Sequence, residues 1–276
     1  MLSIGISGLR KVDFTHLSVF HHERLDFSLS NTVNIQRCMF AYHFAKKFVA
    51  NKSVADIGCA AGYGTSLLAS DAESVTGIDF CEKTIANARD NYGHHPKMAF
   101  ATSKVPPICL PESSMDVVVC FQLIEHIEDQ VELLKQVYKV LKPGGTFICT
   151  TPNAAKSIAR NPFHTHEYSL EEMNSDAQKV FDSFTLMGLK GNHKIKKYYE
   201  DNSNLVSSIL FWDFLKLHKL LPANWLVKPY NLLSSLVRYQ LLLLNEESTQ
   251  TNINDFYLST DDIDNSLDIY LIAHKN

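Results

Sequence analysis

A strand-like run ending in an acid and passing straight into a glycine-rich turn constrains this chain more than any other feature: Asp56-Ile57-Gly58-Cys59-Ala60-Ala61-Gly62-Tyr63-Gly64. Glycine tolerates positive φ and lets backbone approach a ligand closely, and a helix that starts there offers unbonded N–H groups. Asp79 stands 21 residues beyond Gly58, at the end of a second short apolar run. An acid at that place can accept hydrogen bonds from ribose hydroxyls. The dinucleotide fingerprint G-x-G-x-x-G is broken, because positions 60 and 61 are both alanine. Asp56, two residues before the first glycine, suits a cationic ligand end better than a pyrophosphate. The bland alternative is a tight strand–helix turn that binds nothing.

Around the turn, strands and helices alternate. Apolar runs at 53–57, 74–79, 98–101, 117–121 and 146–151 read as strands. The run at 117–121 is continuous, as expected of a parallel strand covered on both faces. Helical spacing marks 34–49, a segment through Leu67-Leu68-Ala69, 84–91 and a stretch from about Asp129 to Leu141. Lys142-Pro143-Gly144-Gly145 stops the last of these. Ser169-Leu170-Glu171-Glu172 matches a capping box, so another helix starts there. Further strands are expected at 180–189 and 267–273. The expected fold is α/β, a doubly wound parallel sheet, because strands joined by helical crossovers pair in parallel.

The whole is expected to be one domain: an N-terminal helical segment about 1–50, a core about 51–191 plus 267–276, and an insertion about 192–266. A net charge of −4 argues against a nucleic-acid binder. The six cysteines include no C-x-x-C pair, so neither a disulfide framework nor a zinc site is expected. Residues 1–25 lack an uninterrupted apolar region, and no stretch reaches the ~18 apolar residues of a spanning helix. The expected location is the cytosol.

Val54-Ala55-Asp56-Ile57-Gly58-Cys59-Ala60-Ala61-Gly62 resembles motif I of class I S-adenosylmethionine-dependent methyltransferases, and Gly77-Ile78-Asp79 resembles motif II. The run from Asp116 to Ile127, with Glu125-His126, resembles the fourth-strand motif, and Leu141-Lys142-Pro143-Gly144-Gly145 the entry to the fifth strand. The resemblance covers about 40–190. It implies a seven-stranded Rossmann-like sheet whose last strand is antiparallel, here with a helical insertion between the last two strands. It also implies S-adenosylmethionine as cofactor, held by Asp56, Gly58, Cys59, Ala60, Gly62, Asp79 and Phe80, with Phe121 and Gln122 lining its reactive end. Ala60 departs from the usual glycine, which is harmless if its φ is negative. Ala101-Thr102-Ser103 departs where many members place an acid beside the adenine.

Methyl transfer from a sulfonium needs positioning more than an elaborate constellation, though an oxygen nucleophile gains from a general base. His126, just after the fourth strand, and His166, after the fifth, are the candidates. A structural hydrogen bond for His126 and a surface position for His166 are the competing readings. Ubiquinone-type O-methyltransferases can carry an acid three residues before the Glu of Glu125-His126; this chain has Gln122 there. His164, His166 and Glu167 match no strong metal template, so no metal is expected. Thr151-Pro152-Asn153, Asn161-Pro162-Phe163-His164 and His166-Glu167-Tyr168-Ser169, with Glu23-Arg24-Leu25, resemble bacterial methyltransferases of surface-polysaccharide and lipid-linked glycan synthesis.

Residues 192–245 are net +4 and residues 246–276 net −6. Amphipathic helices over 209–221 and 225–244 are expected to cap the substrate cleft, to form a homodimer interface, or to lie on a membrane surface. The expected activity is O-methylation of a sugar, glycan precursor or other small metabolite. A quinone-precursor or lipid methyltransferase and a catalytically silent S-adenosylmethionine-binding module are the rivals.

Overall fold

A computed structural model describes residues 32–157, 161–210 and 251–276. Helix α1 (Thr32–Ala45) leads into strand β1 (Ser53–Ile57), α2 (Tyr63–Ala69), β2 (Ser74–Asp79), α3 (Glu82–Tyr92), β3 (Met98–Thr102), β4 (Met115–Phe121), α4 (Gln130–Val140) and β5 (Leu141–Pro152). Then follow α5 (Leu170–Gln178), β6 (Ser183–Gly191), α6 (His193–Leu210), β7 (Phe256–Ser259) and β8 (Asp268–His274). One sheet runs in the order β3-β2-β1-β4-β5-β8-β6-β7. Strands β1 to β5 pair in parallel, while β8 is antiparallel to both β5 and β6, as the family resemblance implies.

Among the described residues the sheet has eight strands, where seven were expected. The extra one, β7, pairs antiparallel with the outer side of β6. It arises inside the segment expected to be a helical insertion, so that insertion contributes both α6 and a strand. Four residues are too short to show a period against their polar flanks. The helices expected over 209–221 and 225–244, and with them the homodimer and membrane readings of 192–245, lie largely outside the described residues, as does Glu23-Arg24-Leu25. No helix among the described residues is long and apolar enough to cross a membrane.

Alternation along β4 shows why this sequence makes a central strand. Val117, Val119 and Phe121 face one apolar layer with α1, α2 and α6, while Val118 and Cys120 face another with α4 and α5. A strand buried on both faces needs apolar residues at every position. Ser169 and Glu172 form the expected capping box at the start of α5, a motif worth about 1 kcal/mol. Strand β5 begins earlier than expected, directly after α4. Leu141 pairs with Met115 and Thr146 with Val117, so Lys142–Gly145 bulges opposite Asp116. Gly144, at φ +77°, makes that bulge possible. The cysteines are all free thiols, and Cys59, Cys120 and Cys149 are buried as small core residues.

Candidate functional site

At the carboxyl edge of β1 the backbone takes positive φ three times, at Gly58 (+83°), Ala60 (+47°) and Gly62 (+83°). The N–H groups of Gly58 and Cys59 both donate to the Ile78 carbonyl, at 2.7 and 3.1 Å, tying the turn to the end of β2. A side chain at Gly62 would meet the Phe100 ring at 2.9 Å, and one at Gly58 would press on Leu123 at 3.1 Å. The φ of Ala60 is positive, so the condition under which alanine would be harmless there is not met. Its left-handed backbone costs about 1 kcal/mol relative to glycine. The Ala60 N–H donates to Asp79 Oδ2 at 3.2 Å, which holds the residue in that conformation.

Asp79 sits where it was expected, buried at the end of β2. Its other oxygen accepts the Cys81 N–H at 2.9 Å, so the carboxylate bridges the turn and the start of α3. A carboxylate accepts several donors at once, and one oriented this way can also receive a diol. The next residue, Phe80, exposes 57% of its surface at the same edge. Asp56 is fully buried. It accepts from Thr65 Oγ1 at 2.6 Å and from the Tyr42 hydroxyl at 3.3 and 3.4 Å. Burial pushes its carboxyl up to about 7 against those hydrogen bonds.

On the far side of β1 the edge is built from side chains. Gln122, at φ +52°, donates from its amide to Thr150 Oγ1 at 3.3 Å and to Asp268 Oδ1 at 3.2 Å. Arg37 grips the Asp268 carboxylate through both Nε and Nη2, the first at 2.7 Å. Its Nη1 donates to the Tyr199 hydroxyl at 3.0 Å. Helices α1 and α6 thereby meet β8 beside Gln122. Phe121 packs edge-on against Tyr42, with ring centres 4.9 Å apart.

Glu125 and His126 form a short 3-10 turn after β4. The Glu125 carbonyl accepts from the N–H groups of Thr165 and His166 and from Thr165 Oγ1, at 2.8, 3.2 and 2.9 Å. Three donors on one carbonyl clip the loop after β5 onto the end of β4. The Glu125 carboxyl is buried, accepts from Thr151 Oγ1 at 3.1 Å, and is pushed up to about 7 by that burial. His126 Nδ1 lies 3.0 Å from the Phe163 carbonyl. A carbonyl only accepts, so Nδ1 carries the proton and Nε2 is the basic nitrogen of the neutral ring.

The structure brings His164 rather than His166 to His126. The His126 and His164 rings meet edge-on at 4.9 Å. His164 Nδ1 pairs with Glu167 at 2.7 Å, and its Nε2 lies 2.9 Å from the Asn161 amide. His166 instead faces Glu172 of α5 at 3.5 Å and packs on Tyr168. His164, His166 and Glu167, which match no strong metal template, do not converge on one point. Glu125, His126 and His164 each offer a ligand atom within 4.8 Å of the others. Both ring nitrogens of His164 are engaged, so a cation could take this residue only by displacing Glu167 or Asn161. Arg37, Tyr42, Thr65 and Asp268 escaped sequence reasoning because no local pattern marks them; Glu125 was visible only as part of a motif.

Residues 55–149 match the family model described as a methyltransferase domain. The match covers roughly a third of the chain. A probable S-adenosylmethionine-dependent methyltransferase of Mycolicibacterium smegmatis is 38% identical over 129 residues, 45% of this chain and 49% of that protein. The chain thus spans about half the length of the mycobacterial relatives it matches. A ubiquinone biosynthesis O-methyltransferase of Pseudomonas putida is 28% identical over 208 residues, covering 72% of this chain and 81% of that one. The solved YcgJ protein of Bacillus subtilis shares the fold, with a TM-score of 0.53, 15% identity, and coverage of 86% of this chain and 99% of that chain. The methyltransferase-domain match ends at 149. The clipped loop and β6 to β8 lie beyond it.

Proposed function

We propose that the chain is an S-adenosylmethionine-dependent methyltransferase acting on a hydroxyl oxygen of a small molecule. The observation that carries this is the turn from Gly58 to Gly62, held in its left-handed backbone by hydrogen bonds to Ile78 and Asp79, with Phe80 open to solvent beside it. Such an edge fits a nucleoside: Asp79 takes the ribose hydroxyls, Phe80 lies against the base, and Gly58, Cys59, Ala60 and Gly62 present backbone. Asp56 supplies negative charge for the ammonium end, and Phe121 and Gln122 line the reactive end. The cofactor supplies an electrophilic methyl group on a sulfonium.

His126 acts as general base. Nε2 takes the acceptor's proton while Nδ1–H stays on the Phe163 carbonyl, which stabilises the imidazolium that results. Such a base contributes about 10²–10⁴-fold to the rate. His166, turned toward Glu172, is the weaker candidate.

Two acceptor classes have support. A glycan precursor is favoured by the sequence of the loop at 161–169, and a phenolic quinone precursor by the Pseudomonas relative. Calorimetry with S-adenosylmethionine and S-adenosylhomocysteine tests the cofactor, and no binding of either at millimolar concentration would overturn the proposal. S-adenosylhomocysteine release with sugar-nucleotide and with phenolic acceptors then separates the classes. Release with neither, despite tight binding, would favour a silent binding module. His126→Ala should lower turnover at least tenfold more than His166→Ala; the reverse order would move the base to His166.

A further inference from the structure

Tyr42 belongs to α1, outside the methyltransferase-domain match, yet it touches three parts of the cofactor edge. Its hydroxyl reaches both oxygens of Asp56, at 3.3 and 3.4 Å. Its ring stands edge-on to Phe121 at 4.9 Å and to Tyr63 at 5.7 Å. The third contact is with Gly64. A Cβ at that position would fall 2.0 to 2.4 Å from Cζ, Cε1 and Cε2 of Tyr42. Unlike Gly58 and Gly62, Gly64 does not have positive φ. Its backbone does not call for glycine; the tyrosine ring is what a side chain there would meet first.

We propose that Tyr42 is a positioning residue for the cofactor: its ring fills the space over Gly64 and its hydroxyl holds the Asp56 carboxylate, so docking of α1 sets the glycine turn. The inference rests on the reading of this edge as an S-adenosylmethionine site. Tyr42 acts through Asp56 rather than by touching the cofactor. The hydroxyls of Tyr42 and Thr65 donate to that carboxylate and favour its charged form, against burial and the nearby Asp79 carboxylate. The other titratable groups around it are Cys59 in the turn, Tyr63 at the start of α2 and Cys38 on α1. Removing the Tyr42 hydroxyl leaves the ring in place and moves ionisation of Asp56 to higher pH.

The test is S-adenosylhomocysteine binding to the full chain by calorimetry between about pH 5.5 and 8, with thermal unfolding to confirm that each variant is folded. In the wild type, affinity rises with pH as Asp56 ionises. Tyr42→Phe should weaken binding about fivefold near neutrality and move the midpoint of that rise upward. Thr65→Val should move it in the same direction. Gly64→Ala should weaken binding at least tenfold, and adding Tyr42→Leu should recover part of the loss. A merely structural tyrosine would lower affinity equally at every pH. That result, or wild-type affinity in Gly64→Ala, would overturn the inference. Absence of binding by the wild type would overturn the site reading and this inference with it; wild-type binding with unaltered variants overturns this inference alone.

Discussion

The two sides of the sheet's carboxyl edge are built on different principles. On the β1–β3 side the turn is shaped by backbone, through left-handed residues and N–H groups bonded to Ile78 and Asp79, all within about 25 residues of one another. On the β4–β8 side the shape comes from buried polar side chains that meet across long stretches of chain. Arg37 and Asp268 are 231 residues apart, and Gln122 and Asp268 are 146 apart. Few distant side chains bear on that turn, and Tyr42 of α1 is one of them. A region shaped by remote side chains depends instead on how distant parts of the chain come together. It also fails more abruptly, because a buried charge that loses its partner is costly.

That contrast can be broken most forcefully at Asp268. Its carboxylate is 2% exposed and the Arg37 side chain 17% exposed. Asp268→Ala leaves the guanidinium buried without its counter-charge, and the expected loss is about 3–5 kcal/mol. Urea unfolding measures it, and a loss below about 1 kcal/mol would show that water reaches Arg37.

A second break concerns pH. The Glu125 carboxyl is pushed up to about 7 by burial, from about 4.3 in an unfolded chain. Between those values the folded chain keeps a proton that the unfolded chain has released. The stabilisation is therefore fully present below the lower value and is lost as pH rises through the upper one. Asp56 contributes in the same direction. Stability should fall from about pH 5 to 7.5, and Glu125→Gln, neutral throughout, should flatten part of that slope. An unchanged slope in the variant would place the effect elsewhere.

The smallest effect sharpens the backbone side. Ala60→Gly relieves a left-handed alanine, offset by the added freedom of glycine in the unfolded chain, for a gain of up to about 1 kcal/mol. A small rise in melting temperature is expected. A fall would mean that the alanine methyl makes a contact worth more than the backbone relief.

How far the sequence foretold the molecule follows the same division. The strands β1 to β4 and the part of β5 from Thr146 were legible because each is a compact, largely apolar run between turn residues, and the α5 capping box because its four residues are consecutive. Asp56 and Asp79 could be placed beside the turn by spacing alone. The sign of φ at Ala60 could not, because alanine argues against the conformation that the Asp79 bond enforces. Strand β7 was hidden by its brevity. The pairing of Arg37 with Asp268 and the preference of His126 for His164 over His166 depend on how the sheet folds back on itself. His164 and His166 stand two residues apart yet end on different partners, Glu167 and Glu172, which no spacing foretells.

Strand β8 sits third from one edge of the sheet, between β5 and β6, although both precede it in the chain. Those two strands share no ladder with each other; each pairs with β8. Among the described residues, β8 is what joins the β6–β7 pair to the rest of the sheet. The pairing of Thr146 with His274 spans 128 residues, a long-range contact of the kind that slows folding. Asp268 is carried on the same strand. Insertion of one strand therefore closes the sheet and neutralises Arg37 together, so a chain that has not joined its two parts still carries a bare cation where its core should be.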